Sequence, residues 1–266
     1  MRPRHSGQVP LLQVETDVSL FYEDFGDGEP VVLVHGWPLS QRFWEAQVGV
    51  LVEAGRRVVS YDRRGFGRSS RPWTGYDHAT FTADLAALID SLGLTGLALV
   101  AFSTGCAEAV GYAATSDRVS RLVLSSPAVY PDPIAHELRA ASRRHRIPML
   151  DDVLLRFFAV DGQSALDEQT RLYLLRIAAD ASPQATAQSL AAWSSADPAV
   201  DLPRVTVPTL IVQGEADAFV PPQDSGARLE RAIGGSALVT IPGAPHGAPL
   251  THHEQWNQLL LEFLAR

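Results

Sequence analysis

The stretch Leu99–Gly105, with the sequence LVAFSTG, decides the fold of this chain. Its apolar first half predicts a buried strand, and the residues after it predict a helix over Thr104–Thr115. Ser103 therefore stands in a turn between a strand and a helix. Such a turn is so tight that the residues two before and two after the serine must be small, as Ala101 and Gly105 are. The pattern predicts a nucleophile elbow rather than an ordinary strand–helix turn.

Strands alternate with helices on both sides of the elbow. Apolar runs predict buried strands at Val31–Val34, Arg57–Tyr61, Leu97–Ala101, Arg121–Leu124, Thr209–Val212 and Ala237–Ile241. Helices are predicted over Gln41–Ala54, Thr80–Leu92, Thr104–Thr115, Ala227–Ile233 and His253–Leu264. An alternating pattern at Gln13–Asp27 predicts a hairpin before the first buried strand. Strands buried on both faces and joined by helices indicate an α/β fold, with a mostly parallel sheet covered by helices on both faces.

The alternation is interrupted between the fourth and fifth buried strands. There the sequence has a helical pattern without a clear buried strand, and its most apolar parts are Leu154–Val160 and Leu172–Ala179. We therefore expect one core domain, residues 1–130 and 204–266, with a helical cap inserted at residues 131–203. Two separate domains fit less well because neither flank completes a sheet by itself. An insertion at this edge of a sheet usually shapes the substrate pocket.

Charge and composition exclude several classes of function. The net charge is −8, from 22 basic and 30 acidic residues, which disfavours nucleic acids and anionic membranes as partners. The chain has no lysine, so a Schiff-base lysine and a P-loop lysine are both excluded. The single cysteine, Cys106, excludes an intrachain disulfide and a cysteine-cluster metal site. The basic stretch Arg139–Arg146 is interpreted as one solvated helix face.

No targeting or membrane signal is recognisable in the sequence. Residues 1–10 are polar and basic without the apolar region of a secretory signal. No continuous apolar run reaches the roughly 18 residues that a membrane span needs. No metal motif such as His-Glu-x-x-His occurs either. We therefore expect a cytoplasmic protein that uses no metal and no cofactor.

A serine nucleophile needs a general base and an acid that orients the base. Among the eight histidines, His246 is the best candidate, since it follows the last predicted strand and should face the same sheet edge as Ser103. His35 is expected to hold loop geometry instead. Asp217, after the fifth buried strand, is the candidate acid, and Glu215 competes with it but lies nearer the strand end. The chain order serine, aspartate, histidine is the order of triads built on this kind of elbow.

A tetrahedral intermediate needs hydrogen-bond donors for its oxyanion. We expect two backbone amides to supply them, that of Thr104 after the nucleophile and that of Trp37 in the loop after the first buried strand. The predicted walls of the substrate pocket are Trp37, Pro38, Phe102 and Phe219. The glycines of Tyr61–Ser69 are assigned to a tight structural turn, because no lysine follows them as it would in a phosphate loop.

Four segments together resemble one known family. They are residues 35–40 (HGWPLS), 61–70 (YDRRGFGRSS), 102–105 (FSTG) and 243–247 (GAPHG). With these motifs the chain is similar to the cofactor-free bacterial haloperoxidases, which are also called non-haem chloroperoxidases, and to aryl esterases and perhydrolases. The resemblance runs from about Val18 to Leu264 and is weakest from about Pro131 to Asp180.

The resemblance implies the α/β-hydrolase fold, with an eight-stranded sheet, and esterase activity through an acyl-enzyme on the serine. It also implies perhydrolysis, in which hydrogen peroxide replaces water, a peracid is released and halide is oxidised in solution. Pro38 matches the proline that follows the oxyanion residue in perhydrolase-like relatives. Ala101 and Cys106 stand where such relatives usually have glycine, and we expect either residue to narrow the acyl pocket. Cys106 itself is expected to be buried and unreactive.

Two other functions fit the same residues. A lactonase, thioesterase or cyclase would use the same triad with a larger cap pocket. A ligand-binding protein that keeps the fold and barely turns over is the alternative from a different class. In each case the expected partner is a small ester, lactone or acyl compound. Fold analogy alone does not separate these functions.

Overall fold

The computed structural model describes residues 10–199 and 201–266. Its strands, in chain order, are β1 (Leu11–Glu15), β2 (Val18–Phe25), β3 (Pro30–Val34), β4 (Arg57–Tyr61), β5 (Leu97–Phe102), β6 (Val119–Ser125), β7 (Ala159–Val160), β8 (Gln163–Ser164), β9 (Thr209–Gly214) and β10 (Ala237–Ile241). The N-terminal segment 1–9, on which the expectation of no secretory signal rests, lies outside the described residues, as does residue 200 of the expected cap.

Helices connect these strands and cover the sheet. They are α1 (Glu45–Glu53), α2 (His78–Ser91), α3 (Gly105–Ala113), α4 (Pro133–Phe157), α5 (Glu168–Ala179), α6 (Pro183–Ser194), α7 (Gly226–Ala232), α8 (Ala248–Thr251) and α9 (His253–Leu264). The helix predicted over Gln41–Ala54 is divided, because a 3-10 turn at Gln41–Trp44 precedes α1. The sequence did not predict α8, a single turn before α9.

The predicted sheet is confirmed. Among the described residues, eight strands form it in the order β1-β2-β4-β3-β5-β6-β9-β10. The hairpin of β1 and β2 pairs antiparallel with β4, and all the other pairings from β4 to β10 are parallel. Because β5, β9 and β10 are parallel, the loops after their carboxyl ends meet at one edge of the sheet.

The sheet is buried on both faces by two hydrophobic clusters. Alternate residues of β3 contribute to opposite faces, as the pleat of a strand requires. Val31 and Leu33 join the cluster that includes residues of α1, α4 and α9. Val32 and Val34 join the cluster that includes residues of α2, α3 and α7. The continuous apolar runs of the sequence follow from this double burial.

The segment between β6 and β9 consists mainly of α4, α5 and α6. Each of these helices begins at a side-chain cap, because Asp132, Asp167 and Ser182 each accept a hydrogen bond from a backbone amide of the first turn. In α4 the backbone leaves helical geometry at His145, three residues before Pro148. Proline removes a helical hydrogen bond and crowds the preceding turn.

A short hairpin of half-buried β7 and exposed β8 is also present in this segment and was not predicted. The domain boundaries at residues 131 and 203 stay a prediction. The basic stretch lies on α4, with Arg143 and Arg144 exposed and Arg139 and Arg146 half-buried, in accord with a largely solvated face. No helix within the described ranges is both long and apolar enough to cross a membrane.

Candidate active site

Ser103 lies in a strained turn between β5 and α3. Its backbone φ is +52°, in the left-handed region that residues other than glycine rarely adopt. A Cβ atom at Gly105 would lie 2.6 Å from the carbonyl oxygen of His35, and one at Gly36 would lie 2.8 Å from the Cβ of Ser103. Both positions therefore require glycine, and Ala101 on the other side of the serine is fully buried. Backbone strain of this kind concentrates at functional sites.

The structure brings the three predicted catalytic side chains together. The Oγ of Ser103 is 3.0 Å from Nε2 of His246, and Nδ1 of His246 is 2.8 Å from Oδ2 of Asp217. The exposed fractions of Ser103, Asp217 and His246 are 1%, 2% and 0%. Ser103 follows β5, Asp217 follows β9 and His246 follows β10, so the parallel sheet delivers all three to one edge. This arrangement can activate a hydroxyl as a nucleophile.

The carboxylate of Asp217 is held entirely by donors. Its Oδ2 accepts hydrogen bonds from His246 Nδ1 at 2.8 Å and from Gln213 Nε2 at 2.7 Å. Its Oδ1 accepts from the backbone amides of Phe219 at 3.1 Å and Val220 at 2.8 Å. These bonds orient the carboxylate toward the imidazole ring. Sequence reasoning missed Gln213, although a glutamine near the end of an apolar strand is a signal that could have identified it.

The competing residues have other surroundings. Glu215 is exposed, and its Oε2 accepts a hydrogen bond from the backbone amide of Gly243 at 3.0 Å. His35 is fully buried and accepts at Nε2 from the backbone amide of Arg63 at 3.0 Å. Burial, reinforced by the charge of Arg63, lowers the pKa of His35 to about 3. His35 therefore stays neutral and holds two loops together, as the sequence predicted.

Aromatic rings surround the imidazole of His246. The ring centroids of Phe102, Phe157 and Phe219 lie 5.0, 4.6 and 5.2 Å from that of His246. Phe102 and Phe219 were predicted to line the pocket, but Phe157 at the end of α4 was not. The apolar stretch Leu154–Val160 was a signal for it, because that stretch is the most apolar part of an expected cap.

Trp37 and Pro38 lie beside the elbow. The indole Nε1 of Trp37 donates to the carbonyl oxygen of Thr186 on α6 at 3.1 Å, which links the loop after β3 to the segment between β6 and β9. The backbone amide of Trp37 donates to Oγ1 of Thr104 at 2.9 Å. Pro38 is buried and follows a cis peptide bond. The amide predicted to bind the oxyanion thus has an acceptor within the protein, and its role stays a prediction.

A buried ion pair lies next to Thr104. Nε of Arg63 is 2.9 Å from Oε1 of Glu108, and the side chains are 2% and 0% exposed. Nη1 of Arg63 donates to Oγ1 of Thr104 at 3.3 Å, and the guanidinium carbon lies 4.0 Å from the centroid of the Phe81 ring. Burial raises the pKa of Glu108 to about 7 despite the neighbouring guanidinium. The sequence predicted a structural turn at Arg63 and did not predict the contact of this residue with the elbow.

Cys106 lies in the first turn of α3 but is fully buried. Its Sγ donates to the carbonyl oxygen of Ala101 at 3.4 Å, and burial raises the pKa of the thiol well above its usual value. A thiol in this state is a poor nucleophile. Within residues 10–199 and 201–266, no three histidine, cysteine, aspartate or glutamate side chains form a group that could hold a metal ion.

Comparison with known proteins identifies relatives of the whole chain. The family model described as alpha/beta hydrolase fold matches residues 29–253. A non-heme chloroperoxidase of Streptomyces lividans is 35% identical, over 92% of this chain and 96% of its own length. A bifunctional esterase/perhydrolase of Acinetobacter calcoaceticus is 33% identical, over 93% of this chain and 96% of its own length. The crystal structure of a bromoperoxidase from Bacillus anthracis superposes with a TM-score of 0.92 at 40% identity, over 96% of this chain and 99% of that one.

Proposed function

The chain belongs to the α/β-hydrolase fold family and is a hydrolase, and we propose that it cleaves carboxylic esters through an acyl-enzyme on Ser103. The observation that carries the proposal is the relay from Ser103 through His246 to Asp217, with contacts of 3.0 and 2.8 Å. The esterase/perhydrolase and chloroperoxidase names of its relatives support the same reaction class. We further propose a perhydrolase side activity.

Each side chain has a defined part in the proposed reaction. Ser103 Oγ attacks the ester carbonyl while Nε2 of His246 accepts its proton, and that proton then goes to the departing alcohol. Water attacks the resulting acyl-enzyme, again giving a proton to His246, and the carboxylic acid leaves as the serine regains its proton. If hydrogen peroxide attacks in place of water, the product is a peracid. The Asp217 carboxylate keeps the proton of His246 on Nδ1 throughout.

The surroundings of Ser103 favour a small apolar acyl group. The serine is 1% exposed, and apolar rings rather than polar groups pack against the neighbouring His246. Phe157 comes from α4, which supports our proposal that residues 131–203 act as a cap on the pocket. The substrate class we propose is therefore a small ester or lactone. The cytoplasmic location stays a prediction.

The test is hydrolysis of p-nitrophenyl acetate by wild type and Ser103→Ala, with and without hydrogen peroxide and with a chelator in every sample. We expect wild type to hydrolyse the ester, to resist the chelator and to form peracetic acid when peroxide is present. Ser103→Ala should lower kcat by about 10⁴- to 10⁶-fold. A Ser103→Ala protein that keeps most of the esterase rate would contradict the assignment of the nucleophile.

A further inference from the structure

The hydroxyl of Thr104 has an unusual set of hydrogen bonds. A threonine hydroxyl can accept two hydrogen bonds and donate one. Oγ1 of Thr104 accepts from the backbone amide of Trp37 at 2.9 Å and from Nη1 of Arg63 at 3.3 Å. Both partners can only donate, since an amide nitrogen and a guanidinium have no acceptor. Among the described residues these are the bonds of Oγ1, so its own proton remains to be given to another acceptor.

The position of this hydroxyl points to the acceptor. Thr104 follows the nucleophile, and its backbone amide lies at the start of α3, where the amides of a helix have no partners within the helix. The amide of Trp37, the second donor expected for the oxyanion, is directed at Oγ1. The hydroxyl therefore belongs to the residue that follows the nucleophile and occupies the Trp37 amide that the oxyanion was expected to use.

We infer that the Thr104 hydroxyl donates a hydrogen bond to the oxyanion. The Trp37 amide acts on the oxyanion through this hydroxyl, because it polarises the O–H bond. This inference rests on the proposed function. In the tetrahedral intermediate the Thr104 backbone amide and hydroxyl both donate to the negatively charged oxygen, while Trp37 and Arg63 donate to the hydroxyl oxygen. No proton is transferred in this step. Donors to a hydroxyl polarise its O–H bond and strengthen the bond that it donates.

The alternative is that the hydroxyl blocks the Trp37 amide and turns away when substrate binds. Two features oppose it. Threonine is β-branched and has few χ1 rotamers available. Rotation would also take an acceptor from Arg63, whose guanidinium is 2% exposed and is held in place by the buried Glu108 and by the Phe81 ring. Removing an acceptor from a buried charged donor is costly.

The test compares Thr104→Val, which keeps the shape and removes the hydroxyl, with Thr104→Ser, which keeps the hydroxyl. On p-nitrophenyl acetate, Thr104→Val should lower kcat by about 10²-fold, the usual effect of losing one oxyanion donor, with KM nearly unchanged. Thr104→Ser should retain kcat within about fivefold, since it still offers a hydroxyl donor. Thr104→Val should also weaken inhibition by phenylboronic acid, which forms a tetrahedral adduct with the serine.

Several readouts separate donation from a general disturbance of the site. In Thr104→Val the midpoints of the pH profile of kcat/KM should match wild type, because His246 keeps its contacts. A shifted profile, a raised KM and unchanged inhibition by phenylboronic acid would together mean a structural role and overturn the inference. If Thr104→Val does not fold, as judged by circular dichroism, Thr104→Ala carries the same expectation.

The reference variant Ser103→Ala distinguishes a failure of the proposed function from a failure of the inference about Thr104. If Ser103→Ala is inactive and Thr104→Val is as fast as wild type or faster, the hydroxyl blocks the Trp37 amide and only this inference fails. If Ser103→Ala is itself active, the proposed function fails and the inference fails with it. A large loss in Ser103→Ala, a loss of about 10²-fold in Thr104→Val and recovery in Thr104→Ser support both.

Discussion

The substitution Asp217→Asn tests the proposed relay at the Asp217 carboxylate, which has more hydrogen bonds than the other two members of the relay. In wild type every neighbour of the carboxylate is a donor: His246 Nδ1 and Gln213 Nε2 at one oxygen, and the amides of Phe219 and Val220 at the other. Asparagine has the same shape but replaces one acceptor oxygen by an NH₂ donor. At least one of these donors must therefore lose its acceptor or become an acceptor itself.

The structure determines which end of the asparagine carries the NH₂ group. The amides of Phe219 and Val220 belong to the backbone and cannot become acceptors, so the remaining oxygen must face them. The NH₂ group then faces Gln213 and His246. Gln213 can rotate its amide, since its Oε1 is buried without a hydrogen-bond partner among the described residues, and the rotation gives up the 3.2 Å bond from its Nε2 to the carbonyl oxygen of Val220. His246 must accept at Nδ1, which moves its proton to Nε2.

A proton on Nε2 of His246 points at Oγ of Ser103 and removes the general base. We therefore expect kcat for p-nitrophenyl acetate to fall by about 10⁴-fold, as for a triad held in the wrong tautomer. This corresponds to about 5 kcal/mol in activation free energy. The fold should persist, because the two backbone amides keep their acceptor and Gln213 gives up one hydrogen bond, and a thermal unfolding curve checks this.

Glu215→Gln is the matched control. The same acid-to-amide change is made two residues away, at an exposed side chain whose contact is the amide of Gly243, and kcat should stay within about twofold because surface changes of this kind have small effects. If Asp217→Asn kept more than a tenth of the wild-type kcat, or if Glu215→Gln lost as much as Asp217→Asn, the tautomer argument would be refuted.

Two further predictions follow from buried groups near the elbow. Because burial raises the pKa of the Cys106 thiol, native protein at pH 8 should not react with a thiol reagent until it unfolds; prompt labelling in the native state would contradict this. The folded pKa of His35, about 3, is below its usual value of 6.5, so its stabilising contribution is complete above pH 6.5 and is lost as pH falls towards 3. The full contribution to the free energy of unfolding is about 5 kcal/mol. Urea unfolding between pH 7 and pH 4 should therefore show that this free energy falls more steeply with pH in wild type than in His35→Gln. An equal fall in both proteins would mean that His35 is not held neutral.

The meeting of the three proposed catalytic residues could be predicted because it depends on the order of elements and not on the details of packing. Ser103, Asp217 and His246 each follow a strand of a parallel sheet, and parallel strands deliver their following loops to one edge. The strand Arg57–Tyr61 and the helix His253–Leu264 have the predicted bounds because apolar periodicity alone defines them.

The contacts that the sequence did not predict depend on how loops and short segments fold, which local periodicity does not show. The apolar stretch around Phe157 indicates that this residue is buried, but nothing local to either residue indicates that its partner is His246. Gln213 holds Asp217 from the same strand end, four residues away, yet its role depends on the loop turning back toward it. The short hairpin β7–β8 was missed for a related reason, since strands of two residues have no periodicity to detect.

The elbow shows where prediction from a motif stops. Its backbone is imposed by packing, since Gly36 and Gly105 leave no room for a side chain, and the reaction class follows from that backbone and the triad. The side chain of Thr104 is not imposed in this way. Its oxygen accepts from Trp37 and Arg63, 67 and 41 residues earlier in the chain, so its effect depends on loops that the motif does not include. Two proteins with the same elbow can therefore share a reaction and differ in rate, because the strength of the oxyanion donors depends on one side chain and its buried partners.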